Sequence, residues 1–367
     1  MVRNIFFLST LCCFLIFLQS CVHGSLDDCP PMVNYAVAFK YTHHALNNDR
    51  FYDDVKKVDL YVFDENERFY TKIPRLSSKE PFEPNFTIPL ELPMGHYHIL
   101  AWCNVLNEQP FNVTPGETEF VKGQTSITQA RLSLQREAGN LSHQEMEKLL
   151  FGDSLNVEIP LYVSRIDTIP LRNDTKNVRV VIHWDHSGEL RRTQQVINYD
   201  EVAVRLEASN AEYNFSNLLT GVNNVVYTPF YQDYDRSYLD NHTRTFEQCV
   251  NFFDEALIRE VTNSCTYDFT ILRMMQNSPI TISIERNKKV QNAPVVLYKD
   301  DIIKSYVRLF GSRGITLPGT CQDEFDRYDN YRIDFYFTYD EIAGEYVTGN
   351  FSIKGWHLVD QPDIPMI

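Results

Sequence analysis

Among ten histidines, His183 and His186 flank Trp184 and Asp185 in a spacing that invites a transition-metal assignment. On a strand, positions three apart face opposite sides, so the two rings diverge unless the chain turns at Asp185. His96 and His98 do share a strand face, but no third ligand lies near them in sequence, and ordinary strand histidines are the plainer reading. Carboxylates gather at Asp323, Glu324, Asp326 and Asp329, and again at Asp233, Asp235 and Asp240. Calcium favours several oxygens presented by one loop, yet neither group matches the loop pattern with a central glycine. A solvated acidic surface is the expectation at both, with a structural calcium the alternative. No local carboxylate pair fixes an acid–base geometry, and there is no glycine-flanked serine elbow. A phosphate-cradling loop ending in Gly-Lys and a His-Glu-x-x-His helix are missing as well. The reading is a chain with no enzymatic activity, no metal and no cofactor.

Cys21 is the residue with a definite chemistry. Arg3 precedes an apolar run from Ile5 to Leu18, followed by Leu18-Gln19-Ser20-Cys21. Such a segment is a processing signal and lies outside the fold, and it is shorter than the roughly 20 residues that span a bilayer as a helix. Leu-Gln-Ser-Cys resembles the lipobox of bacterial lipoproteins, in which cleavage exposes the cysteine for acylation, palmitate being a typical chain. Each buried methylene adds about 0.8 kcal/mol, so several acyl chains hold firmly where one holds marginally. An ordinary secretory peptide, with Cys21 left for a disulfide, is the alternative. Of eight cysteines, Cys12 and Cys13 leave with residues 1–20, and Cys29, Cys103, Cys249, Cys265 and Cys321 remain besides Cys21. An exported chain tolerates disulfides. Cys29 with Cys103 is the preferred pair, Cys249 with Cys265 a second candidate, and an odd number leaves one thiol over.

The elements that position these residues read mostly as strands. Val58, Leu60 and Val62 alternate with Asp59, Tyr61 and Phe63, the pattern of a sheet with one face buried. Tyr97, Ile99, Ala101 and Cys103 share a face, as do Val178, Val180, Ile182 and Trp184. Further strands are expected at 33–40, 86–92, 125–134, 202–206, 267–274, 280–285, 333–337 and 347–355. Ser142 with Glu145 resembles a capping box opening a short helix over 142–150, and helix is otherwise confined to parts of 248–260 and 300–308. Many short strands with turns between them argue for an all-β chain of β-sandwiches with few short helices. The 367 residues are too many for one typical core. The expected division is a signal peptide at 1–20, a lipidated tether at 21–31, and two domains at 32–170 and 171–367. Residues 230–245, dense in Tyr, Asp and Arg, read as a long surface loop. A formal charge of −15 with no basic tract makes nucleic acid an unfavourable partner.

An ordered series of motifs resembles the FimB-like fimbrial anchor and accessory lipoprotein family of Bacteroidales. It runs from Cys21 through Asp27-Asp28-Cys29-Pro30 and Val58-Asp59-Leu60-Tyr61-Val62-Phe63-Asp64. Leu92-Pro93-Met94-Gly95-His96-Tyr97 and Ala101-Trp102-Cys103-Asn104 follow, and then Asp326-Arg327, Tyr331-Arg332-Ile333-Asp334-Phe335 and Ile353-Lys354-Gly355-Trp356-His357-Leu358. The resemblance implies two tandem transthyretin-like β-sandwich domains, surface exposure on an outer-membrane lipid anchor, and a fimbrial structural subunit joined by strand addition. Polymerising subunits of such systems carry a removable leader strand. Here Cys21 lies too close to Cys29 for one. A glycan-binding or adhesive accessory lipoprotein with a host or bacterial surface ligand is the alternative, motivated by Tyr231, Tyr234 and Tyr238.

Overall fold

A computed structural model describes residues 33–77, 82–114, 119–160, 163–185, 199–221, 224–234, 262–287, 294–312 and 321–356. Cys21, Cys29, the signal segment, His186, Asp235, Tyr238, Asp240, Cys249 and the helix expected within 248–260 lie outside them. The first strands are β1 (Val33–Lys40), β2 (Lys57–Asp64), β3 (Phe69–Leu76), β4 (Thr87–Leu90) and β5 (Gly95–Cys103). They are followed by β6 (Phe111–Thr114), β7 (Arg131–Leu134), β8 (Leu141–Ser142), β9 (Leu150–Ile159) and β10 (Val163–Asn173). Next come β11 (Thr175–Asp185), β12 (Val202–Ala208), β13 (Glu212–Asn214), β14 (Val225–Tyr227) and β15 (Tyr231–Tyr234). The last are β16 (Thr262–Leu272), β17 (Ile280–Arg286), β18 (Val295–Asp301), β19 (Asn330–Asp340) and β20 (Glu345–Trp356). The α-helices among the described residues are short: α1 (Phe51–Asp54), α2 (Ile302–Ser312) and α3 (Cys321–Arg327). None is long and apolar enough to cross a membrane.

Seven strands form one sheet in the order β3-β2-β5-β9-β10-β1-β4. Two five-stranded sheets, β15-β16-β11-β19-β20 and β18-β17-β12-β14-β8, make up the second half, and β13-β7-β6 forms a small bridging sheet. In the seven-stranded sheet β10 changes partners: Val163–Pro170 run parallel to β1, and Leu171–Asn173 run antiparallel to β9. The sheet thereby folds over on itself and encloses a core of Val37, Phe39, Val58, Leu60, Val62, Ile99, Ala101, Ile169 and Leu171. Gly152 in β9 sits where the fold closes. A Cβ there would stand 2.5 Å from Ile169 Cγ2 and 3.0 Å from Leu171 Cδ2, so only glycine lets the strands approach.

The sequence pattern of β2 called for one buried face, and both are buried. Val58, Leu60 and Val62 point into the core just described, while Tyr61 and Phe63 join a second, larger core that continues through the second half. Phe215, next to β13, supplies the cover: its ring lies 5.0 Å from Tyr61 and 6.1 Å from Phe63. Strand exchange makes this possible. β13 pairs with β7, and β8 pairs in parallel with β14. Val178, Val180, Ile182 and Trp184 do share a buried face, as do Ile333, Phe335 and Phe337 on the parallel neighbour β19.

Two local expectations are corrected. Ser142 closes β8 in place of opening a helix, because its carbonyl accepts from the Thr228 N–H at 2.9 Å and ties the segment to β14. The capping box instead occurs at Ser126 and Gln129, around a one-turn 3-10 helix at Ile127–Gln129, so the strand expected from 125 begins only at Arg131.

Candidate functional site

The chain passes from the seven-stranded sheet to the second half at Asp174, the single residue between β10 and β11. Asn173 shapes the step. Its Oδ1 accepts from the Thr175 N–H at 3.1 Å, and its Nδ2 donates to Thr175 O at 2.8 Å and to Asp329 Oδ1 at 2.9 Å. Around this step the fold assembles charges from distant segments. Lys148 bonds both Asp54 Oδ2 at 2.8 Å and Asp329 Oδ2 at 3.0 Å, and the Tyr41 hydroxyl donates to the same Asp329 carboxylate at 3.1 Å. Lys176, fully buried, donates to Asp326 O at 3.1 Å and lies 3.8 Å from Asp329 Oδ1. Arg273 grips Asp326 through two bonds, at 2.6 and 2.5 Å, and comes within 3.9 Å of Asp174. Asp174 also accepts from Asn217 Nδ2 at 3.2 Å, in the turn after β13.

Burial costs charged groups dearly unless they are paired, and the joint balances the two effects differently at each site. At Asp329 burial pushes the carboxyl up, but Lys176, Lys148 and the Asn173 amide outweigh it and hold the group below the usual carboxylate range. Asp174 is the reverse: burial dominates over Arg273, Arg172 and Asn217, and its pKa rises to about 6. Burial also pulls the Lys176 ammonium down, against the attraction of Asp329, Asp326 and Asp174.

The acidic group at Asp323, Glu324, Asp326 and Asp329 is therefore no solvated surface. Asp326 and Glu324 are buried, and the cations meeting Asp326 and Asp329 are arginine and lysine side chains. Asp323 takes His43 at 3.5 Å and Arg327 at 3.4 Å. Sequence reasoning missed Lys148, Asp174, Lys176 and Arg273. The available signal was Lys176 and Arg273, single cations flanking the apolar runs of β11 and β16.

Beyond the joint, the sheet edges differ. The outer strands of the seven-stranded sheet are β3 and β4, and each carries a proline, Pro74 and Pro89. Proline has no N–H to offer and is confined to edges, where it discourages further pairing. The edge strands of the two five-stranded sheets, β15, β20, β18 and β8, contain none. β18 and β20 lean together: the Thr348 hydroxyl donates to Leu297 O at 3.4 Å, and Tyr298 packs against Phe335 and Phe351.

Cys103 is a free, fully buried thiol facing the first core beside Ile99 and Ala101, and burial pushes its pKa well up. The disulfide expected with Cys29 is thus not supported. The apolar strand face that admits a bridge also shelters a lone thiol. Cys265 is buried in β16, and its candidate partner Cys249 lies outside the described residues. His183 holds Asp334 Oδ1 at 3.0 Å and stacks on Tyr336 with centroids 4.5 Å apart. His96 and His98 belong to β5, where His98 Nδ1 meets Asn156 Oδ1. Among the described residues no group of three or more His, Cys, Asp or Glu side chains is placed to hold a metal. The expected loop at 230–245 begins as a strand, since Tyr231–Tyr234 pair with Cys265–Asp268. Asp233 lies in that strand.

Residues 26–362 match the Mfa2 family, described as fimbrillin-A associated anchor proteins Mfa1 and Mfa2. The chain belongs to this family. It is an accessory protein of the fimbrial and adhesin class. Solved structures share the fold. A candidate polysaccharide-binding protein of Bacteroides thetaiotaomicron is 22% identical with a TM-score of 0.66, over 89% of this chain and 98% of the other. A candidate adhesin from the same organism is 19% identical with a TM-score of 0.64, over 88% and 96%. The fimbrial anchor protein Mfa2 from Porphyromonas gingivalis is 15% identical with a TM-score of 0.60, over 88% and 97%. No curated protein matches the sequence. In this Mfa2-family chain the motif residues Asn104 and Asp326 serve packing and pairing. Asn104 donates to Asp54 O and Lys148 O at 2.8 and 2.9 Å, and Asp326 anchors Arg273.

Proposed function

We propose that this Mfa2-family protein is a surface-exposed anchor, tethered to the outer membrane by acyl chains on Cys21, that binds a fimbrial stalk subunit by strand addition in its second half. The observation that carries this reading is the asymmetry of the edges. The seven-stranded sheet ends in Pro74 and Pro89, whereas the edges of the second half are free of proline. An anchor needs one end closed to polymerisation and one end able to accept a strand. On this reading residues 32–170 and 171–367 are two tandem transthyretin-like sandwiches, the first beside the bilayer. The buried charges around Asp174 fix their relative orientation, as suits a part that carries tension. Replacing Cys21 by Ala is expected to release both the protein and its fimbriae into the medium, measured by immunoblot of cell and supernatant fractions. Fimbriae retained on cells of that variant would overturn the anchoring role.

A second reading is glycan binding, favoured by the exposed rings of Tyr231 and Tyr336 on the outer face of one five-stranded sheet, with Tyr336 held flat against His183. Rings on a rigid strand suit stacking on sugars. The B. thetaiotaomicron relative, described as polysaccharide-binding, points the same way. A glycan array probed with the purified protein tests it, and an array without signal across diverse polysaccharides counts against it.

A further inference from the structure

Where the chain leaves β14 it changes sheet. Thr228 donates its N–H to Ser142 O, Pro229 has none to give, and Phe230 donates to Asp268 O as β15 begins in the opposite sheet. β14 therefore pairs only with Leu206–Ala208 of β12, while β17 runs along all of β12 on its other side. A cleft of about 320 Å³ lies between the two sheets at this point. Asp200 and Val202–Arg205 form one wall, and Thr228, Pro229, Gln232 and Tyr234 form the other. Gln232 and Tyr234 alternate with Tyr231 along β15, so the cleft and the outer face bearing Tyr231 lie on opposite sides of that strand.

The lining restricts what can enter. An anionic ligand finds no uncommitted cation, because Arg205 Nη1 already donates to Glu285 Oε2 at 2.9 Å, and Asp200 would repel it. An apolar ligand would strip water from Asp200, Thr228 and Gln232 and give nothing back. A peptide strand gains little. In an antiparallel strand alternate residues direct their N–H and C=O to one side, so only half of Val202–Arg205 addresses the cleft.

A neutral sugar meets each of these conditions. A hydroxyl both donates and accepts, so adjacent hydroxyls suit a carboxylate, a carboxamide, a threonine hydroxyl and the mixed N–H and C=O groups of a strand edge. The C–H face of a pyranose needs a flat, fixed ring. Tyr234 supplies one: Tyr199 stacks on it with centroids 5.4 Å apart and planes 14° from parallel, and its hydroxyl donates to Gln232 Oε1 at 3.1 Å. At about 320 Å³ the cleft is at the small end of ligand pockets, which run from roughly 300 to 1,000 Å³. It has room for the end of a glycan and not for a length of one.

We propose that this cleft binds the terminal pyranose of a neutral glycan, with Asp200, Thr228 and Gln232 on its hydroxyls and Tyr234 on its C–H face. The proposal rests on the glycan reading, adds to it a site away from the outer face, and is independent of the anchor reading.

Saturation-transfer NMR on the full chain, in a detergent without a sugar headgroup, tests it. The probes are the methyl pyranosides of glucose, galactose, mannose and N-acetylglucosamine, with glucuronate as the charged comparator. Transfer to at least one neutral pyranoside is expected. Gln232→Trp fills the cleft from an exposed position and should lower transfer by about tenfold or more with the melting temperature unchanged. Thr228→Val keeps the N–H bonded to Ser142 and removes only the hydroxyl, and should weaken binding by about three- to tenfold. Val296→Trp, on exposed β18, should leave transfer as it is in the parent. Transfer that survives Gln232→Trp and disappears in Tyr336→Ala would overturn the cleft and leave the glycan reading standing on the outer face. Glucuronate preferred over every neutral sugar would overturn the neutral class. A photo-crosslinking residue at Ala203 that captures protein and no carbohydrate in cells would overturn the sugar as occupant. No transfer from any neutral pyranoside would overturn the cleft, and a blank glycan array beside it would sink the glycan reading as well.

Discussion

The seven-stranded sheet and the five-stranded sheet containing β11 and β19 are both built from alternating strands, yet they use the alternation differently. In β2 and β5 both faces are packed, one against the first core and the other against Phe215, Phe111 and the bridging strands. In β11 and β19 one face is packed throughout, and on the other Val181 and Asp334 are buried locally. That second face carries Arg179, His183, Arg332 and Tyr336 towards solvent, with Asp334 held beneath His183 and Arg332. The packed second face of β2 and β5 ties the first sheet to the bridging strands, while the outer face of β11 and β19 keeps Arg179, Arg332 and Tyr336 accessible to solvent.

The strongest test of that contrast is to cut the tie between the halves. Asp329, in the second half, bonds Lys148 and Tyr41 of the first and lies beside the buried Lys176. Asp329→Ala severs those bonds and takes the paired carboxylate from Lys176, and loss of one partner of a buried pair costs about 3–5 kcal/mol. Urea unfolding followed by fluorescence of variants that keep only Trp102, in the first half, or only Trp184, in the second, reads the two environments separately. Coincident transitions in the parent and separated ones in the variant are expected. A variant whose two signals remain coincident, with little loss of stability, would show that the shared core and not the joint couples the halves.

Much of this was legible in the sequence, for a physical reason. Strand alternation reports which side chains share a face, so Val178 to Trp184 and Ile333 to Phe337 were placed correctly without a structure. Alternation does not report what covers the other face, and so the burial of Tyr61 and Phe63 by Phe215, about 150 positions downstream, was invisible. The joint was hidden similarly. Asp326 and Asp329 read as an acidic cluster because their partners, Arg273, Lys148 and Lys176, come from other strands and connections. Ser142 misled because a capping box is a local signal, and a parallel pairing with Tyr227 overrode it.

Acid sharpens the comparison further, since the joint holds carboxylates shifted in opposite directions. For Asp174, with a folded pKa of about 6 against 3.8 in the unfolded chain, the folded state binds the extra proton between those values. Stability from this group therefore falls as pH rises from about 4 to about 6, by on the order of 2–3 kcal/mol. Asp329 and Asp334 are depressed, so their contribution is present above the unfolded value near 3.8 and is lost as pH falls below it. Asp174→Asn is expected to flatten the upper slope and to be at least as stable as the parent at pH 7, with the acid limb unchanged. Denaturant midpoints from pH 3 to 7.5 measure both limbs. A variant that keeps the slope between pH 4 and 6 assigns it to another group.

Gly152 tests the first half. Gly152→Ala drives a methyl into Ile169 and Leu171 where β10 changes partners, and overpacking of this kind costs about 1–3 kcal/mol. With the joint intact, the Trp102 and Trp184 signals should shift to lower urea together by that amount. A shift of the Trp102 signal alone would show that the halves unfold separately.

The smallest expected effect on stability concerns the edges. Pro74→Thr and Pro89→Thr restore an N–H to β3 and β4, at positions opposite Asp59 and Ala36 respectively. Because the prolines occupy outer strands, folding stability should move by less than about 1 kcal/mol. Self-association should change more, because a proline-free edge can template another chain. Sedimentation velocity of the double variant at increasing concentration should show dimers or larger species absent from the parent. If the double variant stays as monomeric as the parent, the prolines are incidental. The closed end of the molecule would then have to be explained by the strand lengths, β4 being only four residues, and not by the chemistry of its edges.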